Sequence, residues 1–139
     1  MFELSNRSKK NRDGVNSPLV LVGDRAIQIT TVDFGYPTDA GIRTAARQQE
    51  IYNSGYSMCD GYNRKSYHQT GNALDFYAYV DGKASWKPSH LAMVAAAHLQ
   101  AASEFGYKLT WGGFWVKDET KIIDGIRYGW DMGHVQLEE

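Results

Sequence analysis

One segment limits what this chain can fold into more than any other, the stretch 88–105. Pro88 and Ser89 open it as helices open, because proline in the first turn gives up no hydrogen bond. Leu91, Val94, Ala95, Ala102 and Phe105 recur at helical spacing, and Gly106 supplies the left-handed stop. An apolar stripe of that length needs a second layer to cover it. A second helix is predicted over 18–29, with Ser17 as cap, Pro18 in the first turn and Leu19, Val22 and Ala26 repeating. A third is predicted over 45–54, capped by Thr44 and ended by Gly55. The strand signals are short: an imperfect alternation over 73–80, then 107–111 and 134–137. Asp81-Gly82 and Gly112-Gly113 read as turns, and the charged run 118–124 as a solvent-facing connection. Short, hairpin-like strands among helices give an α+β class. The expected architecture is a small single domain over 1–139, with a short antiparallel sheet flanked by helices.

A length of 139 residues fits one domain with one sizeable core. Cys59 is the only cysteine, so that core stands without an intrachain disulfide. Its neighbours Ser57, Met58, Asp60 and Gly61 mark it as a loop residue rather than a nucleophile or ligand. The net charge of -1 leaves no overall basic field to hold a nucleic-acid backbone. Arg7, Lys9, Lys10 and Arg12 read as a solvated helix face or loop. No apolar run approaches the roughly 18 residues of a membrane-spanning helix. Residues 1–14 also lack the apolar stretch of a secretory signal, so synthesis in the cytoplasm is expected. His90 and His98 lie on the long helix at a spacing unlike that of a helical metal-binding pair, and read as surface or packing residues.

The chemistry concentrates in two segments, Ser66-Tyr67-His68-Gln69-Thr70-Gly71-Asn72-Ala73-Leu74-Asp75 and Trp130-Asp131-Met132-Gly133-His134-Val135-Gln136-Leu137. Two histidines and a carboxylate, His68, His134 and Asp75, are the ligand set of a catalytic zinc, which keeps three protein ligands and an open position. Gly71 allows a reversal that brings His68 and Asp75 to one ion, with Asp75 at the start of a strand. The spacing of those two residues also fits a histidine that only hydrogen-bonds within a turn. A zinc hydrolase further needs a carboxylate beside the ion to accept a proton, and Asp131, three residues before His134, fits that role. An aspartate near glycine is also a common turn or capping residue.

Together these segments resemble the zinc D-Ala-D-Ala metallopeptidases, with their S-x-H-x-x-G-x-A-x-D and (D/E)-x-x-H motifs. Ser66, His68, Gly71, Ala73 and Asp75 match the first motif, and Asp131 and His134 the second. Gly41-Ile42-Arg43-Thr44, followed by Gln48 or Gln49 and Tyr52, is similar to the family's arginine segment. Trp111-Gly112-Gly113 followed by Trp115 is similar to its glycine- and tryptophan-rich stretch. Aspartate rather than glutamate at position 131, with the terminal Gly133-His134-Val135-Gln136-Leu137-Glu138, points to phage endolysins that act as L-alanyl-D-glutamate endopeptidases. Phe114 departs from the polar or acidic residue common in related sequences.

The resemblance implies a hedgehog/DD-peptidase-like fold, a Zn²⁺ cofactor held by His68, Asp75 and His134, and Asp131 as general base. Arg43 would stabilise the oxyanion or hold a substrate carboxylate, and Ser66 would touch substrate or brace its loop. The implied partner is the bacterial peptidoglycan stem peptide, cut by a monomer that reaches the wall after release from the host cell. Two rivals stand beside it: a D,D- or L,D-carboxypeptidase of the same family, and a catalytically silent zinc-stabilised module that binds cell wall.

Overall fold

The computed structural model describes residues 1–138. The chain begins with helices α1 (Asn6–Asn11) and α2 (Ser17–Ile29), strand β1 (Asp33–Gly35) and helix α3 (Ala45–Asn53). A 3-10 turn (Tyr67–Thr70) leads into strands β2 (Ala73–Asp75), β3 (Tyr77–Val80) and β4 (Lys83–Ser85). Helix α4 (Pro88–Phe105) follows, then strand β5 (Leu109–Trp111) and a second 3-10 turn (Gly112–Phe114). Strands β6 (Ile122–Ile123), β7 (Ile126–Arg127) and β8 (His134–Leu137) complete the described residues. All strand pairings are antiparallel, in sheets ordered β1-β3-β4 and β2-β8-β5 and a separate β6-β7 hairpin.

The layer covering α4 is α2, packed along it. Leu19, Val22, Ala26 and Ile27 of α2 are buried with Leu91, Val94, Ala95, Ala101 and Ala102 of α4. The alanines keep the α4 surface shallow, which lets the helices approach closely. Phe34, Tyr36, Leu74, Phe76, Ala78, Trp111 and Val135 complete the core from the sheet side. Phe105, placed in the stripe by its spacing, is exposed and stacks on Tyr107 with ring centroids 5.9 Å apart.

His98 is a packing residue and lies wholly inside this core. Its Nδ1 donates to the Val94 carbonyl at 2.9 Å, and its Nε2 accepts from the Tyr36 hydroxyl at 3.0 Å. The ring stacks on Phe76 at 5.3 Å. Burial disfavours the charged imidazole and pushes its pKa down to about 4, although the Val94 hydrogen bond acts in the opposite direction.

Several elements differ from expectation. The stretch 73–80 is two strands in different sheets, divided at Phe76. The Phe76 N–H leaves the ladder to donate to the Gly133 carbonyl at 2.8 Å, which explains the imperfect alternation. Asp75 consequently ends a strand rather than starting one. Asn16, not Ser17, caps α2, and its side chain donates to the Thr70 carbonyl and to the Asn72 side chain. The connection 118–124 contributes to a hairpin turned by Asp124-Gly125, both at positive φ. Arg12 belongs to no solvated face: it is buried and ion-paired with Asp24 at 2.8 Å.

Candidate metal centre

The pairing of β2 with β8 sets the site. Its register places Asp75 directly opposite His134, and directly opposed residues on an antiparallel pair share one face. The neighbouring pair, Leu74 and Val135, points the other way and is fully buried, anchoring both strands to the core. His68 arrives from the first 3-10 turn. Ser66 caps that turn, its Oγ accepting from the His68 N–H at 3.2 Å while its own N–H donates to Gln69 Oε1 at 2.8 Å. Gly71 then reverses the chain at φ 76, and a Cβ there would lie 3.0 Å from the Gly14 carbonyl oxygen.

Three donor atoms thereby converge. Asp75 Oδ1 is 3.2 Å from His68 Nε2 and 2.9 Å from His134 Nδ1. One ligand atom from each residue lies within 4.8 Å of both others. The imidazole rings meet edge to face, their centroids 5.1 Å apart.

The protonation pattern decides what such a cluster can hold. His68 Nδ1 donates to the Gly41 carbonyl at 2.8 Å, leaving the Nε2 lone pair turned inward. His134 Nε2 donates to Gln136 Oε1 at 3.0 Å, leaving Nδ1 turned inward. The Gln136 amide is itself oriented, because its Nε2 donates to Glu138 Oε1 at 2.9 Å. Two lone pairs and a carboxylate oxygen facing one point repel one another unless a proton or a metal cation lies between them. Ligands at about 2.0–2.1 Å around a tetrahedral ion would sit about 3.3 Å apart, close to the two separations from Asp75 Oδ1. The donor set therefore fits a metal ion such as zinc.

The same convergence draws positive charge, and a proton competes with a metal ion for His134 Nδ1. Burial alone would raise the Asp75 carboxyl, but the two imidazoles outweigh it and hold the group well below the usual carboxylate range. Burial would likewise lower His134, yet its hydrogen bond and charge contact with Asp75 carry it above the ordinary histidine value. The outer oxygen of Asp75 accepts from Arg43 Nη2 at 2.8 Å. Arg43 is fixed at two further points, donating from Nε to the Asp39 carbonyl and from Nη1 to Gln48 Oε1.

Asp131 stands beside this cluster, its Oδ2 3.8 Å from His134 Nδ1. Its segment is held by close backbone approach. The Gly129 N–H donates to the Gly113 carbonyl at 2.7 Å, and Trp111 Nε1 donates to the Met132 carbonyl at 2.7 Å. Gly112 touches the Asp131 backbone so tightly that a Cβ would lie 2.0 Å from its carbonyl oxygen. Burial raises the Asp131 pKa above the ordinary aspartate value; His134 draws it back and the charge of Asp75 pushes it up again. A carboxylate poised upward in this way suits proton transfer.

His68, Asp75, His134, Asp131, Arg43 and Ser66 thus all line one cavity of about 520 Å³. Sequence reasoning assigned no role to Gln136 or Glu138, although Gln136 is two residues from His134 on the same strand face. Nor did it place Trp115, whose ring lies 5.4 Å from that of His134, or the loop residues Tyr56, Met58 and Cys59 in the cavity wall. Phe114 does not line the cavity; it is exposed and packs edge-on against Trp111 at 5.1 Å.

Residues 1–138 match the family model described as phage L-alanyl-D-glutamate peptidase. The chain belongs to that family. Among its relatives, the L-alanyl-D-glutamate peptidase of Escherichia phage T5 is 34% identical over 138 residues, 98% of each chain. The L-Ala D-Glu endopeptidase ChiX of Serratia marcescens has a crystal structure that superposes with a TM-score of 0.76 at 32% identity. That alignment covers 98% of this chain and 90% of ChiX. This phage L-alanyl-D-glutamate peptidase family member is α+β, as its sequence implied. Among its described residues no helix is long and apolar enough to cross a membrane.

Proposed function

We propose that this family member hydrolyses the L-alanyl-D-glutamate bond of peptidoglycan stem peptides, with zinc held by His68 Nε2, Asp75 Oδ1 and His134 Nδ1. The observation that carries this reading is the strand register opposing Asp75 to His134, with His68 on the adjoining turn and Asp131 alongside.

Zinc bound there supplies Lewis acidity, activating a water and polarising the scissile carbonyl. Asp131 accepts the proton of the attacking water at its carboxylate and returns it to the departing D-glutamate amine. Arg43 holds the outer oxygen of Asp75 and keeps that carboxylate aimed; its cationic edge also lines the cavity where negative charge develops. Ser66 braces the His68 turn through its cap and lines the same cavity, within reach of substrate. The protein acts as a monomer on the cell wall, after release from the cell that made it.

Digestion of purified sacculi with and without a chelator tests the reaction. The expected products carry new L-alanine carboxyl and D-glutamate amino termini, and chelation abolishes them. Release of free D-alanine instead would identify a carboxypeptidase and overturn the reading.

A further inference from the structure

A second cavity of about 370 Å³ adjoins the metal centre, lined by Trp86, Leu91, Met132 and Gly133 among others. It shares Asp75, Trp130 and Asp131 with the first cavity, so the two are arms of one groove that meet at the candidate reaction centre. The arms differ in charge. Arg43, Arg64 and Lys65 all line the first arm, whereas no cation is among the described residues lining the second.

Indoles line both arms, Trp115 and Trp130 in the first and Trp86 with Trp130 in the second, but only in the second do they stand without cations among the described lining residues. Trp86 is 58% exposed, so its ring is available to a ligand. It is nevertheless held in place: its ring centroid lies 6.0 Å from that of Tyr77. A Cβ at Gly133, the residue before the metal-binding His134, would sit 3.5 Å from the Trp86 ring. This indole therefore stands directly beside the ligand strand. Trp130, 47% exposed, closes the junction of the two arms.

The substrate has a matching asymmetry. Beyond the bond to be cut, D-glutamate and the residues after it carry free carboxylates. Before it, L-alanine is joined through a neutral amide to the lactyl group of a muramyl sugar. A carboxylate-rich segment suits the cationic arm. A pyranose ring offers C–H faces, which pack against flat, apolar indole surfaces. The cations favour the orientation that puts the carboxylates in the first arm and the sugar in the second.

We propose that Trp86 forms a sugar-binding subsite that takes the muramyl ring on the L-alanine side of the cleaved bond, making muramyl peptides the preferred substrates. This rests on the peptidase reading above. Substrate is thereby drawn into the groove in one direction, glycan at Trp86 and carboxylates towards Arg64 and Lys65.

The test compares a muramyl tetrapeptide with the same tetrapeptide acetylated at L-alanine in place of the sugar. The zinc-loaded enzyme is expected to prefer the muramyl substrate in kcat/KM by about five- to tenfold. Trp86→Ala brings that ratio close to one, and Trp86→Phe restores most of it. A binding measurement stands beside the kinetics: N-acetylmuramyl-L-alanine, the expected product, shifts the Trp86 indole N–H resonance, assigned by its loss in Trp86→Phe. A fall of equal factor on both substrates, no fall on either, or an unmoved resonance would overturn the subsite while leaving the peptidase reading intact. If the wild-type protein cuts neither substrate, the peptidase reading itself fails and the subsite with it.

Discussion

Asp131 and Gln136 both lie close to His134, and their consequences separate cleanly. Asp131→Asn keeps the shape but removes the basic oxygen, so hydrolysis is expected to fall by about 10²–10⁴-fold. Zinc stoichiometry, read by elemental analysis, should stay at one; loss of the metal would make Asp131 a ligand instead. Gln136→Leu removes the acceptor that fixes the His134 tautomer. Zinc affinity is expected to weaken by about 10–100-fold, measured by competition with a chromophoric chelator. Unchanged affinity would show that the Gln136 contact orients nothing. His68, Asp75, His134 and Asp131 were legible in the sequence because each sits in a short motif of chemically distinctive residues. Gln136 was not. Its role depends on side-chain alternation along β8 and on the Glu138 contact that turns its amide, and a glutamine has many ordinary uses.

Among the elements, the long helix and its partner were readable because an apolar stripe repeats over many residues and clear stop signals follow. The 73–80 stretch was not, since a chain that passes from one sheet to another keeps its strand composition while losing its ladder at one residue, Phe76. The double glycine after β5 read as a turn, but its use is closer: Gly112 lets the Asp131 backbone lie against it. Gly112→Ala must push that backbone aside. Activity should drop by about 10²-fold with zinc still bound, as expected for a small displacement of a catalytic group; full activity would remove Gly112 from the positioning of Asp131. Within α4, His98 makes stability depend on pH. Its folded pKa of about 4 lies below the ordinary histidine value, so as pH falls the unfolded chain takes up a proton that the folded one refuses. Its contribution is therefore intact at neutral pH and is lost as pH drops from about 6.5 to about 4, by up to about 3 kcal/mol. Urea midpoints across that range should show a steeper acid decline in the wild type than in His98→Gln, whose absolute stability is lower. Equal slopes would mean that His98 protonates in the fold.

At the scale of the whole molecule, His68, Asp75 and His134 join the turn after α3 to the β2-β8-β5 sheet, so a bound ion ties separate parts of the chain together. Zinc at a hundred times its dissociation constant should stabilise the protein by about 2.7 kcal/mol. That corresponds to a rise in Tm of roughly 10 °C for a chain of this size. His68→Ala should abolish the rise. The composition and charge that excluded a nucleic-acid field also say little about a wall polymer; the direction of the groove became visible only when distant cations and tryptophans were brought to its two arms. The most direct test of the account is anomalous diffraction at the zinc edge from crystals of the zinc-loaded protein. It predicts one peak about 2.0–2.2 Å from His68 Nε2, Asp75 Oδ1 and His134 Nδ1, with Asp131 outside bonding distance. A peak coordinated elsewhere, or none at these three atoms, would contradict it.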